Sequence, residues 1–261
     1  MIPKIIHYCW FGKNPLPNFA IKCIESWRKY LPGYEIKEWN EDNFDINSII
    51  YTQQAYKRKM YAFVSDYARF WILYHYGGVY FDVDVELIKP LAPILAEGPY
   101  MGLESDNTMD IGIFNGSNLG IACNPGLGMA AEPKMTFCKD LLDKYKTLKF
   151  IYPSGATNTK TVVAYTSEML IKYGYNCTNN EIQECAGFII YPRQFFCPHI
   201  DKKENTIDIK PETYSIHHYA ATWVGTGMKI KRFISKMLEK LLPISALKFL
   251  RLIYRLLLQK K

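Results

Sequence analysis

Residues 61–86, YAFVSDYARFWILYHYGGVYFDVDVE, run an apolar helical stretch directly into an apolar strand through two adjacent glycines. The spacing predicts a helix up to Tyr76. Gly77-Gly78 ends it, because glycine takes the left-handed cap conformation freely. Val79–Val85 then reads as a short buried strand. A helix feeding straight into a buried strand needs a layered α/β architecture to cover both. In a strand, alternate side chains share a face, so Asp82 and Asp84 are expected on one side and Val83 and Val85 on the other. Asp66 and Arg69, three apart on the helix, share a face amid Phe63, Val64, Phe70, Trp71 and Leu73.

Two carboxylates at the end of an apolar strand are costly unless something positive binds there. A divalent cation with hard oxygen ligands, Mg²⁺ or Mn²⁺, is the natural partner. A DxD spacing alone is equally consistent with a solvated strand end, or with carboxylates satisfied by a helix N-terminus. Asp66 and Arg69 taken alone read as a surface ion pair, but their apolar setting favours an ordered, functional pair. Later in the chain, Ser215-Ile216-His217-His218 leads to Trp223. The pair of histidines reads either as one packed and one solvated ring or as a late metal or phosphate ligand, with Trp223 closing over the site. Trp10, at the end of the first apolar run, is either core or a platform for a base, since ligands of open α/β sheets sit beyond the carboxyl ends of strands.

The remaining elements alternate in the same manner. A strand is expected over 2–10, a helix over 18–30 with Phe19, Cys23 and Trp27 on one face, and a strand over 34–39. Helices follow over 133–146 and about 160–173, and strands over 188–191 and 213–218. The Gly- and Asn-rich stretch 98–130 gives no clear assignment. Together these predict a sheet with helices on both faces.

The chain of 261 residues carries a net charge of +7, unevenly placed. Residues 228–261 hold ten Lys/Arg and one Glu, a net of +9, so the other 227 residues carry −2. The body therefore lacks the basic footprint of a nucleic-acid binder. Residues 228–261 predict an amphipathic helical tail, with Ile230, Phe233, Ile234, Met237, Leu238 and Leu241 on one stripe and a break at Pro243. The chain accordingly divides into a body, 1–227, and a basic tail, 228–261. Each apolar tail segment is shorter than a bilayer span, which fits a helix lying on an anionic membrane surface. Packing of the stripes on the body, or a dimer, is the alternative. Seven scattered cysteines, with no CxxC and no secretory signal, are expected to be reduced and the protein cytosolic.

The 61–86 motif, with its SDxxR and GGxYxDxD elements, resembles the DXD-containing glycosyltransferases of family 32. This family includes initiating mannosyltransferases and bacterial capsular polysaccharide transferases. IPKIIHYCWFG at 2–12, IIYPRQFFCP at 189–198 and TYSIHHYAATW at 213–223 extend the resemblance over nearly the whole body. The large glucosylating bacterial toxins share the same catalytic core. The resemblance implies a GT-A-like nucleotide-sugar-binding fold, a mixed sheet flanked by helices. It implies a Mn²⁺- or Mg²⁺-dependent hexosyltransferase, retaining in stereochemistry. The donor would be a nucleotide sugar, a UDP-sugar by analogy with the toxins, and the acceptor a glycan or lipid-linked glycan of a capsule or surface polysaccharide. The enzyme would sit on the cytoplasmic face of the inner membrane.

Position by position, the resemblance implies that Trp10 stacks on the donor base and that Ser65, Asp66 and Arg69 hold the sugar and diphosphate. Asp82 would contact ribose and sugar, and also serve the metal. Asp84 would ligate the metal with His217 or His218, and Trp223 would lie near the transferred bond. Asn124 would lie against the bound sugars. The toxins have a carboxylate where this chain has His218. Two other readings of the chain are a phosphatase of the haloacid dehalogenase type, with the first aspartate of the DxD as nucleophile, and a membrane-surface module without catalysis. The phosphatase reading lacks a later acidic pair to complete its metal site.

Overall fold

Strand β1, Ile5–Cys9, is the hinge of the architecture: it pairs in parallel with β2 (Glu35–Trp39) on one side and β3 (Gly78–Tyr80) on the other. A computed structural model describes residues 1–105, 121–177, 181–201, 204 and 206–220. Met1–Ala220 forms one compact unit. Trp223 and the tail 228–261 lie outside the described residues.

The sheet continues through β5 (Tyr100–Ser105), β7 (Met129–Ala131), β9 (Phe188–Tyr191) and β8 (Gln183–Cys185), in the order β2-β1-β3-β7-β5-β9-β8. The short β6, Ala122–Cys123, pairs with β5. β7 runs antiparallel to both β3 and β5, whereas β5 and β9 are parallel, so the sheet is mixed. Among its described residues, the 98–130 stretch that resists assignment supplies β5, β6 and most of β7. They are short and interrupted by glycine and asparagine, which hides their period.

Helices cover both faces, as the alternation predicts. On one face, α1 (Asn18–Tyr30) and α4 (Ala92–Glu97) pack over Ile6, Tyr8, Val79 and Tyr100. On the other, α2 (Ile50–Lys57), α3 (Tyr61–Tyr76), α5 (Thr136–Lys146) and α6 (Val162–Lys172) pack over Tyr80, Met101, Leu103 and Met129. The buried stripe of α1 is Ala20, Cys23, Ile24 and Trp27; Phe19, expected on that stripe, is exposed instead. Helix α5 begins three residues later than the sequence suggests, because Lys134 has φ 66°, outside the right-handed helical region. All seven cysteines are free. Among the described residues no helix is long and apolar enough to cross a membrane.

The helix-to-strand join behaves as its two glycines demand. Gly77 has φ 64° and its N–H closes α3 on the Leu73 carbonyl at 2.8 Å. A Cβ there would stand 2.7 Å from Pro133 Cδ and 2.9 Å from Pro3 Cδ. Gly78 has φ 97°, and a Cβ would meet the Ile5 carbonyl oxygen at 2.6 Å. Any other residue in the pair would push α3 away from β1.

One expectation changes. The run Val79–Val85 is not one strand: β3 ends at Tyr80, and a separate strand β4, Val85–Leu87, begins five residues later. Between them the Val85 N–H donates to the Asp82 carbonyl at 3.1 Å, closing a turn. Aspartate is a poor strand former and a good turn residue, so two of them break the strand that the flanking valines favour. β4 leaves the main sheet and pairs antiparallel with β12, Ser215–His217, while the short β10 (Ile200–Asp201) and β11 (Thr206–Ile207) pair with each other. Trp27 holds this ribbon by donating its indole N–H to the Val85 carbonyl at 2.8 Å, and Ser26 Oγ accepts the Leu87 N–H at 2.9 Å.

His7, fully buried on β1, braces the join. An indole N–H only donates and a carbonyl only accepts, so Trp39 Nε1 donating to His7 Nδ1 (3.1 Å) and His7 Nε2 donating to the Gly77 carbonyl (2.9 Å) fix a neutral ring. Burial lowers its pKa from 6.5 to about 4, against the pull of the Gly77 carbonyl. Below pH 6.5 the unfolded chain takes a proton that the folded chain refuses, so stability falls as pH drops from 6.5 towards 4. Between pH 7 and 4, urea unfolding of the parent should lose about 2–3 kcal/mol more than His7→Gln, whose amide offers one donor and one acceptor. Equal losses would show that folding does not lower the His7 pKa.

Candidate active site

Helix α3 aims Asp66 and Arg69 at the end of β3, and both side chains are buried. Arg69 Nη2 stands 3.1 Å from Asp66 Oδ1 and 3.3 Å from Asp82 Oδ1. Its Nε donates to the Ser65 carbonyl at 3.2 Å, and the guanidinium lies over the Tyr80 ring at 4.9 Å. The Tyr80 hydroxyl donates to the same Asp82 oxygen at 3.1 Å. The surface-pair alternative for Asp66 and Arg69 therefore fails: this is a buried charge held by two carboxylates and an aromatic face. Burial pushes the Asp66 carboxyl up, to about 7, with Arg69 opposing. Burial works against the Arg69 charge, but Asp82, Tyr80 and Asp66 outweigh it and keep the group cationic. Asp66 also accepts the Val162 N–H at the start of α6.

The turn after β3 and the ribbon β4–β12 bring the second half. His217 lies across from Val85, and its Nε2 is 3.2 Å from Asp84 Oδ1. The other Asp84 oxygen, Oδ2, accepts the Ala220 N–H at 2.8 Å. Burial raises the Asp84 pKa, but the contact with His217 and the Ala220 N–H more than reverse this, and Asp84 is held below the usual carboxylate range. Burial opposes charge on His217, and Asp84 overrides it, raising that pKa. Ligand atoms of Asp82, Asp84 and His217 all lie within 4.8 Å of one another. Two oxygens and one imidazole nitrogen, clustered and mostly buried, suit a Mn²⁺- or Mg²⁺-class cation.

His218 points away from this cluster, because neighbours on a strand face opposite sides. Its Nε2 is 2.8 Å from Glu86 Oε2, and its ring meets Phe19 edge-on. The structure thus separates two histidines that the sequence leaves equivalent. Trp10 follows β1 and donates its indole N–H to the Asn14 carbonyl at 2.6 Å. It stands next to Cys9, whose thiol neighbours Arg69, Tyr80 and Ser65. Asn124 is buried beside the cluster, and its Oδ1 accepts the Gly126 N–H at 2.7 Å.

Four residues of the site escape the sequence reading. Tyr80 sits two before Asp82, so the same alternation that pairs the aspartates was there to find it. Gly126 accepts the Asp82 N–H on its carbonyl at 3.1 Å and lies beneath the carboxylate. Glu104 accepts from Asn124 Nδ2 at 2.8 Å and from the Tyr219 hydroxyl at 3.1 Å, on a single oxygen, Oε2. Tyr219 sets its ring against His217, with centroids 4.1 Å apart. Glu104 and Gly126 lie in the stretch without periodic signal, and nothing in the sequence marks Tyr219.

Parts of the chain are similar to known proteins. Residues 17–101 match the family described as glycosyltransferase sugar-binding region containing DXD motif. The chain is 28% identical over 158 residues to inositol phosphoceramide mannosyltransferase 1 of Schizosaccharomyces pombe, covering 56% of this chain and 47% of that one. It is 36% identical over 104 residues to the uncharacterized glycosyltransferase L373 of Acanthamoeba polyphaga mimivirus, covering 38% and 41%. Among solved structures it is similar to PaToxG glycosyltransferase, at 17% identity and TM-score 0.46, over 66% of this chain and 69% of that one. The chain spans less than half the length of the curated relatives it matches. Over residues 17–101 the chain is similar to the DXD-containing glycosyltransferases, and Asp82-Val83-Asp84 within that stretch has the spacing that gives the group its description.

Gly126 offers a test of the geometry that needs no substrate. Its backbone conformation admits alanine, but an added Cβ would overlap Asp82 Oδ2 and stand 3.0 Å from Arg69 Nη1. Gly126→Ala should cost about 1–3 kcal/mol in chemical denaturation, as overpacking does. In an Asp82→Ala background the cost should fall by at least half. Additive costs would mean that the carboxylate is not the obstacle.

Proposed function

We propose that this chain is a divalent-metal-dependent glycosyltransferase, moving a sugar from a nucleotide-sugar donor to a glycan or lipid-linked acceptor. The observation that supports it best is the convergence of Asp82, Asp84 and His217 within 4.8 Å, beside the buried cation Arg69. In this reading a bound Mn²⁺ or Mg²⁺ neutralises the charge that grows on the leaving nucleoside diphosphate. Asp82, Asp84 and His217 would hold that ion, and Asp82 would also contact the sugar. Arg69 is fixed by Asp66 and Tyr80, so it needs no reorganisation to donate charge-assisted hydrogen bonds toward sugar and diphosphate. Asp66 and Ser65 orient the sugar, Asn124 lines the opposite wall, and Trp10 stacks on the base. The resemblance assigns Trp223, outside the described residues, a role at the transferred bond.

The finer reading is a UDP-sugar donor, retention at the anomeric carbon, a role in capsule or surface polysaccharide, and work at the cytoplasmic membrane surface through 228–261. A relative named for mannosyl transfer and inositol phosphoceramide is compatible with a lipid-borne acceptor. A donor-hydrolysis screen over UDP- and GDP-sugars with Mn²⁺ identifies the donor. With that donor, Asp84→Asn should lower turnover by 10³-fold or more, on the order expected when a metal's charge partner is lost, about 4 kcal/mol. Its thermal midpoint should stay close to the parent's. Near-parental turnover with unchanged Mn²⁺ dependence would overturn the reading.

The tail reading has its own test. Each Lys or Arg near an anionic leaflet contributes about 1 kcal/mol, falling off within a Debye length. The full chain should co-sediment with phosphatidylserine-containing vesicles at low salt and release at high salt, and residues 1–227 alone should not bind. Binding that is absent, or the same without the tail, removes the membrane role.

A further inference from the structure

Glu104 and Tyr219 touch neither a described ion nor the aspartates directly, yet their contacts reach both halves of the site. From Glu104 Oε2, one path runs through Asn124 Nδ2 (2.8 Å). Asn124 Oδ1 then accepts the Gly126 N–H (2.7 Å), and Gly126 underlies Asp82 and accepts its N–H. The other path runs through the Tyr219 hydroxyl (3.1 Å) to a ring set edge-on against His217. The same hydroxyl contacts Cys197 Sγ at 3.2 Å. Tyr219 has φ 49°, a conformation a bulky side chain adopts only when its surroundings hold it there. The turn it makes after β12 delivers the next N–H, of Ala220, to Asp84 Oδ2. A strained residue tied down by its own hydroxyl, between the ring of one ligand and the N–H on another, is placed as a brace.

We infer that Glu104 and Tyr219 are positioning residues for the divalent-ion site: Glu104 anchors the tyrosine hydroxyl, and Tyr219 thereby fixes the His217 ring and the Ala220 N–H on Asp84. The inference rests on the reading of Asp82, Asp84 and His217 as the ion's ligands. Partners that orient ligands in this manner typically change metal affinity tenfold to a hundredfold when removed. Gln at 104 can present its amide oxygen to both Asn124 and Tyr219, whereas Ala cannot.

The test is direct titration of the full chain with Mn²⁺ alone, following free Mn²⁺ by electron paramagnetic resonance, with thermal midpoints measured in parallel. Tyr219→Phe keeps the ring and removes only the hydroxyl. It should weaken Mn²⁺ binding at least tenfold with the midpoint within a few degrees of the parent. Glu104→Ala should weaken binding as much, the double variant no more than either single variant, and Glu104→Gln should stay within about threefold of the parent. Parental Mn²⁺ affinity in Tyr219→Phe overturns the inference, as does additive weakening in the double variant. If Glu104→Ala does not fold, Tyr219→Phe and Glu104→Gln decide the matter between them. Saturable binding by the parent that Asp84→Asn abolishes upholds the ligand set independently. Its absence removes both readings, whereas its presence with unaffected Tyr219→Phe removes the brace alone.

Discussion

The buried guanidinium of Arg69 is the fixed point around which this molecule is arranged. A charge at 3% exposure is tolerable only if its field is balanced. Asp66, Asp82, the Ser65 carbonyl and the Tyr80 ring do this from two different elements, a helix and a strand end, while Nη1 has no partner among the described residues. Removing one member of such a set leaves an unbalanced buried charge and costs about 3–5 kcal/mol. Helix α3 can stand nowhere else without breaking these contacts. The demand for glycine at 77 and 78 has the same origin, because α3 must turn into β3 within two residues to keep Arg69 over Tyr80.

The two aspartates of the motif sit close together and have different counter-charges. Asp82 is matched by arginine, whose charge is permanent at any physiological pH. Asp84 is matched by histidine, which can lose its proton and remain a donor of electrons to a metal. In the proposed reaction an incoming cation would take over from a proton at Asp84 and His217, leaving the Arg69 network undisturbed. One carboxylate thus keeps a permanent partner in the scaffold, and the other has an exchangeable one.

Much of this was visible in the chain because it is contiguous. Residues 61–86 hold the helix, its glycine stop, the cation and both aspartates in one register, and local periodicity suffices to align them. The sheet with helices on both faces followed from alternation alone. The missing parts arrive through tertiary pairing. That β4 leaves the main sheet depends on β12 being available far downstream, which no local pattern encodes. The choice of His217 over His218 is set by which residue of β12 lies across from Val85. Phe19 left its expected stripe: the face of α1 that joins the core carries Ala20, Ile24 and Trp27, and Phe19 lies off it. Glu104 and Gly126 sit on strands and turns too short to show a period.

The ribbon of β4 and β12 has a consequence for how the protein comes into being. Its two strands are separated by most of the body, and the turn residues Asp82 and Asp84 lie at its root. On the ribosome, β1, α3 and β3 emerge together and can assemble while β12 is still unsynthesised. The aspartates then wait beside Arg69 with one half of their environment missing. Only when residues 215–220 leave the exit tunnel do His217 and the Ala220 N–H reach Asp84. The site is the last part of the body to close, so a chain halted before β12 keeps the motif yet lacks the partner that completes it.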